Sequence, residues 1–78
     1  MTLTVISSYD TLFQGEADSV TLPGVKGKFT VLNNHAPIIS VLVPGKVVYK
    51  SHDGEAHELE IKGGLADIAD NRIAVCVY

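Results

Sequence analysis

The stretch Thr21–Pro37, TLPGVKGKFTVLNNHAP, sets two turns and a short strand between two longer apolar runs. Pro23-Gly24 suits a type II turn, because proline presets φ at the second turn position and glycine accepts a positive φ at the third. Gly27 then releases the chain into Lys28–Leu32, where Phe29 and Val31 alternate with Lys28 and Thr30, the period of a strand with one buried face. Asn33-Asn34 predicts the next turn, since asparagine is among the non-glycine residues that best tolerate left-handed backbone. Ala36 precedes Pro37 and is pushed to an extended conformation. Nothing in the stretch is arranged for catalysis. It reads as a stiff, exposed double loop at one end of a β-sandwich.

Upstream, Leu3, Val5 and Ile6 predict a first strand ended by Ser7-Ser8. Leu12–Gln14 and Ala17–Leu22 predict two more, broken at Gly15 by a bulge or a sharp bend. Downstream, Ile38–Val43 is fenced by Pro37 and Pro44-Gly45 and is apolar on both faces. A sandwich strand meets the core with one face and water with the other. This strand therefore needs a second cover, either a neighbouring loop or another protein docked on it.

Two hairpins close the chain. In Lys46–Lys62 a three-residue loop, His52-Asp53-Gly54, pairs Val47 with Leu59 and Tyr49 with His57 on one face. It also sets Lys46 opposite Glu60, a favourable cross-strand pair, and gives Gly54 the left-handed position such a loop requires. After Gly63-Gly64, an Asp70-Asn71 turn pairs Ile68 with Ile73 and Ala66 with Val75. Leu65 and Cys76 then pair on the other face, which is more apolar than solvent demands. No segment shows a capped 3.6-residue period, so the expectation is all-β: a flattened antiparallel sandwich or barrel of about ten short strands.

The ordered set LPGxxGxFxVLxxHAP, then Pro44-Gly45, then Gly63-Gly64, resembles the N-terminal domain of the epsilon subunit of bacterial and chloroplast F-type ATP synthases, whose mitochondrial counterpart is called delta. The match is collinear from about Val5 to Val77. The family has Pro-Gly where this chain has Asn33-Asn34, a swap that keeps turn chemistry. Most members continue into a two-helix C-terminal hairpin, whereas this sequence stops at Tyr78, so residues 1–78 are expected to be one domain without that hairpin. The resemblance implies a non-catalytic rotor subunit of the central stalk, bound to gamma and resting on the c-ring, at the cytoplasmic face of the membrane. By position, Gly24, Val25, Lys26, Gly27, Lys28 and His35 would face the c-ring, and Ser7, Phe13, Ile38, Ser40 and Leu42 would face gamma. Inhibition by an extended helix and ATP binding belong, in the family, to the C-terminal hairpin, and neither is expected of these residues.

Composition agrees with a binding role. Six basic against nine acidic residues leave a net charge of −3 without a basic stripe, which argues against nucleic acid as a main partner. The single cysteine, Cys76, forms no internal disulfide, and no zinc-ligand spacing exists. No apolar run approaches the roughly 18 residues that span a bilayer. His35, His52 and His57 lack a third ligand nearby, so no metal or other cofactor is expected. Asp53, Glu55, Glu58 and Glu60 read as charge alternation on a solvated strand rather than an acid–base pair. Gly24–Lys28 has the flavour of a phosphate loop but lacks the Walker spacing and a following helix. The alternative reading, a free-standing β-sandwich module for peptide or carbohydrate, calls for clustered exposed aromatics; the chain has no Trp, and Tyr9, Tyr49 and Tyr78 are scattered in sequence.

Overall fold

A computed structural model describes residues 1–78. Nine strands form: β1 (Thr2–Ile6), β2 (Thr11–Glu16), β3 (Ser19–Gly24), β4 (Gly27–Leu32), β5 (Ile38–Leu42), β6 (Gly45–Lys50), β7 (Ala56–Ile61), β8 (Gly64–Ala69) and β9 (Arg72–Val77). There is no helix, and so none long and apolar enough to cross a membrane. One path of pairing runs β2-β1-β9-β8-β5-β3-β6-β7, with β4 on the other edge of β3. It curls on itself, laying β2-β1-β9-β8-β5 against β4-β3-β6-β7. The all-β sandwich is thus as read from the sequence, with nine strands rather than about ten.

Three local readings change. Pro23 and Gly24 lie in β3, and the turn falls on Val25-Lys26. The positive φ belongs to Gly27, at 124°. Pro23 is tolerated because it stands where β3 changes partner. Ser19–Thr21 pair with β6, and the next bridge on that edge is Gly24 with Leu42 of β5. Between the two, the Pro23 carbonyl accepts from Val43 N–H at 2.9 Å, and no N–H is demanded of residue 23. Gly15 does not bend the chain either; it continues β2 opposite Leu3, with the Phe13 ring 3.0 Å from where a Cβ would sit. The third change is that β1 and β9 pair in parallel, Leu3 with Ile73 and Val5 with Val75. Strands so far apart in sequence carry no turn to announce their direction.

The two hairpins follow the predicted registers. Val47 pairs with Leu59, Tyr49 with His57 and Lys46 with Glu60, and Gly54 has φ 86°. Lys46 Nζ, however, reaches diagonally to Glu58 Oε1 at 3.4 Å. In the last hairpin Ile68 pairs with Ile73, Ala66 with Val75 and Leu65 with Cys76, while Asp70 and Asn71 both take positive φ (53° and 57°). That is the handedness a two-residue hairpin turn needs to match strand twist. The core joins the inward faces of both layers. Leu3, Val5, Ile73 and Val75 lie on one side and Val20, Leu22, Val31 and Val47 on the other, all buried, with Phe13, Phe29, Tyr49 and Leu59 packed at the margin. No buried side-chain polar atom lacks a partner.

The Asn33-Asn34 turn forms, with Asn34 at φ 63°. Both residues also tie it down: Asn33 Oδ1 accepts from the Met1 ammonium at 2.7 Å, and Asn34 N–H donates to Asn71 Oδ1 at 2.8 Å. The N-terminus and the β8–β9 turn thus both meet this loop.

Candidate functional site

Chain connection from β5 to β6 is a corner. β5 belongs to one layer, Val43-Pro44 turn the chain, and β6 begins the descent through the other. Gly45 allows the corner to close, since a Cβ there would stand 2.9 Å from Pro23 Cβ. The end of β3 follows the bend, so the Val25-Lys26 tip of the β3–β4 hairpin overhangs β5, where Val25 N–H donates to Val41 O at 2.9 Å. The tip is fixed from below. A Cβ on Gly24 would stand 2.8 Å from both the Gly27 carbonyl oxygen and the Phe29 ring, so glycine is what lets Phe29 lie flat beneath the turn.

Beyond this contact β5 loses its cover. Ile38 pairs in register with Ile68, and Leu42 with Gly64, all on the inward side. Leu42 is 3% exposed and Ile68 2%, yet Ile38 is 41% exposed. The space next to Ile38 is a cleft of about 520 Å³ between β4 and β5, lined by Val25–Phe29 and Ile38–Val41. Lys26 and Lys28 stand exposed at its rim and take part in no ion pair.

On the outward side of the same strand Ile39 is 68% and Val41 51% exposed. Val41 pairs with Leu65, Leu65 with Cys76 and Cys76 with Ile6. These four side chains therefore form one apolar row across β5, β8, β9 and β1, with Leu65 still 44% exposed. The doubly apolar strand is thus bare on both faces over most of its length.

The residues implied by the family resemblance divide accordingly. Gly24, Val25, Lys26, Gly27 and Lys28 form one hairpin tip, and Ile38 and Ser40 line the same cleft. His35 lies apart, past the other end of β4, and its Nδ1 is 2.7 Å from the Ala36 carbonyl oxygen. The Leu42 side chain is in the core, because even-numbered residues of β5 point inward and only the lower ones are uncovered. Phe13 also turns inward, with its ring 4.3 Å from Tyr49, which in turn stacks on His57 at 5.3 Å. Ser7 holds the β1–β2 turn, its hydroxyl oxygen accepting from Asp10 N–H at 3.2 Å. The sequence reading named Ile38, Ser40 and Leu42 on this strand but not Ile39 or Val41. Their signal was the same Ile38–Val43 run, taken in the other alternation.

No cluster of His, Cys, Asp or Glu is arranged to hold a metal. Two histidines approach carboxylates loosely, His52 with Asp18 at 3.6 Å and His57 with Glu55 at 3.8 Å. At the β6–β7 tip the Ser51 hydroxyl and the Glu55 N–H hold the Asp53 carboxyl below its usual pKa. That bond stiffens a hairpin tip. What the site offers chemically is apolar surface, two cations and strand edges.

Comparison with known proteins places this geometry. The ATP synthase delta/epsilon chain β-sandwich domain matches residues 1–78. The epsilon chain of Desulfosudis oleivorans is 37% identical over 96% of this chain and 56% of its own length. That of Rhodopseudomonas palustris (strain BisB18) is 35% identical over 91% and 52%. The chain thus spans about half the length of these relatives. In fold it is similar to a chain of the Euglena gracilis mitochondrial ATP synthase, with a TM-score of 0.90 at 22% identity, over 96% of this chain and 48% of that one. A chain of the Tetrahymena thermophila mitochondrial ATP synthase central stalk and c-ring superposes with a TM-score of 0.79 at 17% identity, over 97% and 61%. The chain belongs to the family of ATP synthase delta/epsilon chain β-sandwich domains.

Proposed function

We propose that this chain is the docking module of an epsilon-type central-stalk subunit, holding gamma on one side and the c-ring on the other, and performing no chemistry itself. The observation that carries the reading is the exposure of Val25, Ile38, Ile39 and Val41 around one cleft. Apolar residues grouped in this way mark a surface that a partner covers. The family supports the identity of the partners: its relatives are ATP synthase epsilon chains, and its structural neighbours come from assemblies whose descriptions include the c-ring. In this reading the module sits peripherally at the cytoplasmic face of the membrane and meets the bilayer only through the complex.

The roles follow the surface. Ile38, Ser40 and the outward Ile39 and Val41 meet gamma. Lys26 and Lys28 meet the polar loops of the c-ring, where an exposed ion pair contributes only about 0.2–1 kcal/mol and so orients more than it binds. The test is copurification of the chain with gamma. Ile39→Asp with Val41→Asp should abolish the complex while the circular dichroism of the free chain stays unchanged. Retained binding by the folded double variant overturns the assignment of this face. For the rim, Lys26→Glu with Lys28→Glu should lower proton pumping relative to ATP hydrolysis in membrane vesicles.

A further inference from the structure

Strand β5 presents an open backbone edge to the cleft. It pairs with β8 over all five of its residues, but with β3 through the single pair Gly24–Leu42. In an antiparallel ladder both backbone groups of a residue point to one edge, and alternate residues point to opposite edges. Val41 O and Val43 N–H bond toward β3. The N–H and C=O of Ile39 therefore point the same way, past the end of the hairpin, where no strand lies. Val41 N–H faces that edge too and meets no acceptor in the turn.

Proteins disguise such edges with charge, proline, bulges or a covering loop, because a bare one pairs with whatever chain arrives. Here Pro37 stands just before the edge, but Ile39 and Val41 themselves are apolar and exposed. The surroundings say what would pair. In a chain of net charge −3, two of the six basic residues stand at this cleft, and no carboxylate lines it. Ile38 and Phe29 supply an apolar floor.

We propose that the cleft receives an extended, acidic and apolar segment of the partner protein, which adds as a strand to the free edge of β5. This rests on the docking reading above and specifies its chemistry. The backbone of Ile39 supplies a donor and an acceptor, and Val41 N–H a second donor. Alternate side chains of the segment lie on Ile38 and Phe29, and its carboxylates face Lys26 and Lys28. This is strand addition, in which backbone bonds give affinity and side-chain pockets give choice.

The test compares the chain free and in the copurified gamma complex. Amide hydrogen exchange at Ile39 and Val41 should be fast in the free chain and slowed about a hundredfold or more in the complex, as for other ladder amides. Ser40 N–H, bonded toward β8, should change little. Ile39→Pro removes the N–H on the side away from β8, a place where an edge strand tolerates proline. It should weaken the complex about tenfold beyond Ile39→Ala, the effect of one interface hydrogen bond left unmade. Should Ile39→Pro fail to fold, the exchange measurement still decides. A complex in which the Ile39 amide exchanges as in the free chain overturns the added strand and leaves the docking reading standing. A wild-type chain that does not copurify with gamma overturns both.

Discussion

Strands β5 and β8 lie side by side, and their paired residues Ile38 and Ile68 face the same way. One is 41% exposed and the other 2%. Residue type, register and strand are alike; only what lies opposite differs. β8 runs under the full width of the second layer and shows clean alternation of buried and exposed residues. β5 stands at the layer's margin, where the hairpin above covers Leu42 and stops. A strand pattern in a sequence therefore specifies a strand, and its cover specifies whether the apolar face becomes core or binding surface.

The largest expected effect tests that contrast directly. Ile68→Ala should destabilise the chain by about 2–5 kcal/mol, the cost of a cavity in a close-packed core, whereas Ile38→Ala should cost less than about 1 kcal/mol because its site is already open. Urea unfolding followed by circular dichroism measures both. Equal losses would mean that β5 is covered as well as β8.

Next comes the turn chemistry that sets the well-covered region. Gly54 has φ 86° with nothing within 4 Å of a prospective Cβ, so Gly54→Ala imposes backbone strain alone, about 1–2 kcal/mol. The fall in melting temperature should come without any change in the Val47–Leu59 register, checked by cross-strand nuclear Overhauser contacts. A register shift would show that packing rather than the loop aligns this hairpin.

A smaller effect is expected on the outer face. Ile39→Ser and Leu65→Ser should change stability by no more than about 0.5 kcal/mol, as at other surface positions. Binding to gamma should weaken for Ile39→Ser. Loss of stability comparable to Ile68→Ala would place these side chains in a core rather than on a surface.

The smallest concerns Asp53. Its pKa is lowered, first by the Ser51 hydroxyl and then by the Glu55 N–H. A depressed carboxyl stabilises the fold above its unfolded pKa, and that contribution is lost as pH falls through the lower folded value. Thermal midpoints of the wild type should therefore drop slightly more than those of Asp53→Asn between pH 5 and pH 2. Parallel curves would show that the Ser51 bond adds nothing to the folded state.

The candidate site was legible in part. The run Ile38–Val43 announced an apolar surface without a cover, and that proved its most informative feature. Which of its residues stay bare could not be read, since even-numbered positions point inward along the whole strand and only the hairpin's reach separates Leu42 from Ile38. His35 shares a sequence motif with the loop before it, but β4 carries the two apart by its full six residues. Proximity along a strand is proximity only every second residue and only on one face.

By itself the sequence determined the elements whose partners are a few residues away. Asp70-Asn71 and His52-Asp53-Gly54 set their hairpins because φ preferences act within the turn, and the alternation of Ile68, Ile73 and Val75 marked the buried face. Tertiary structure alone decided the parallel joining of β1 to β9, the change of partner that lets Pro23 sit inside a strand, and the open edge of β5. Each depends on where segments far apart in the chain come to rest against one another, and no local preference for φ, burial or charge records that.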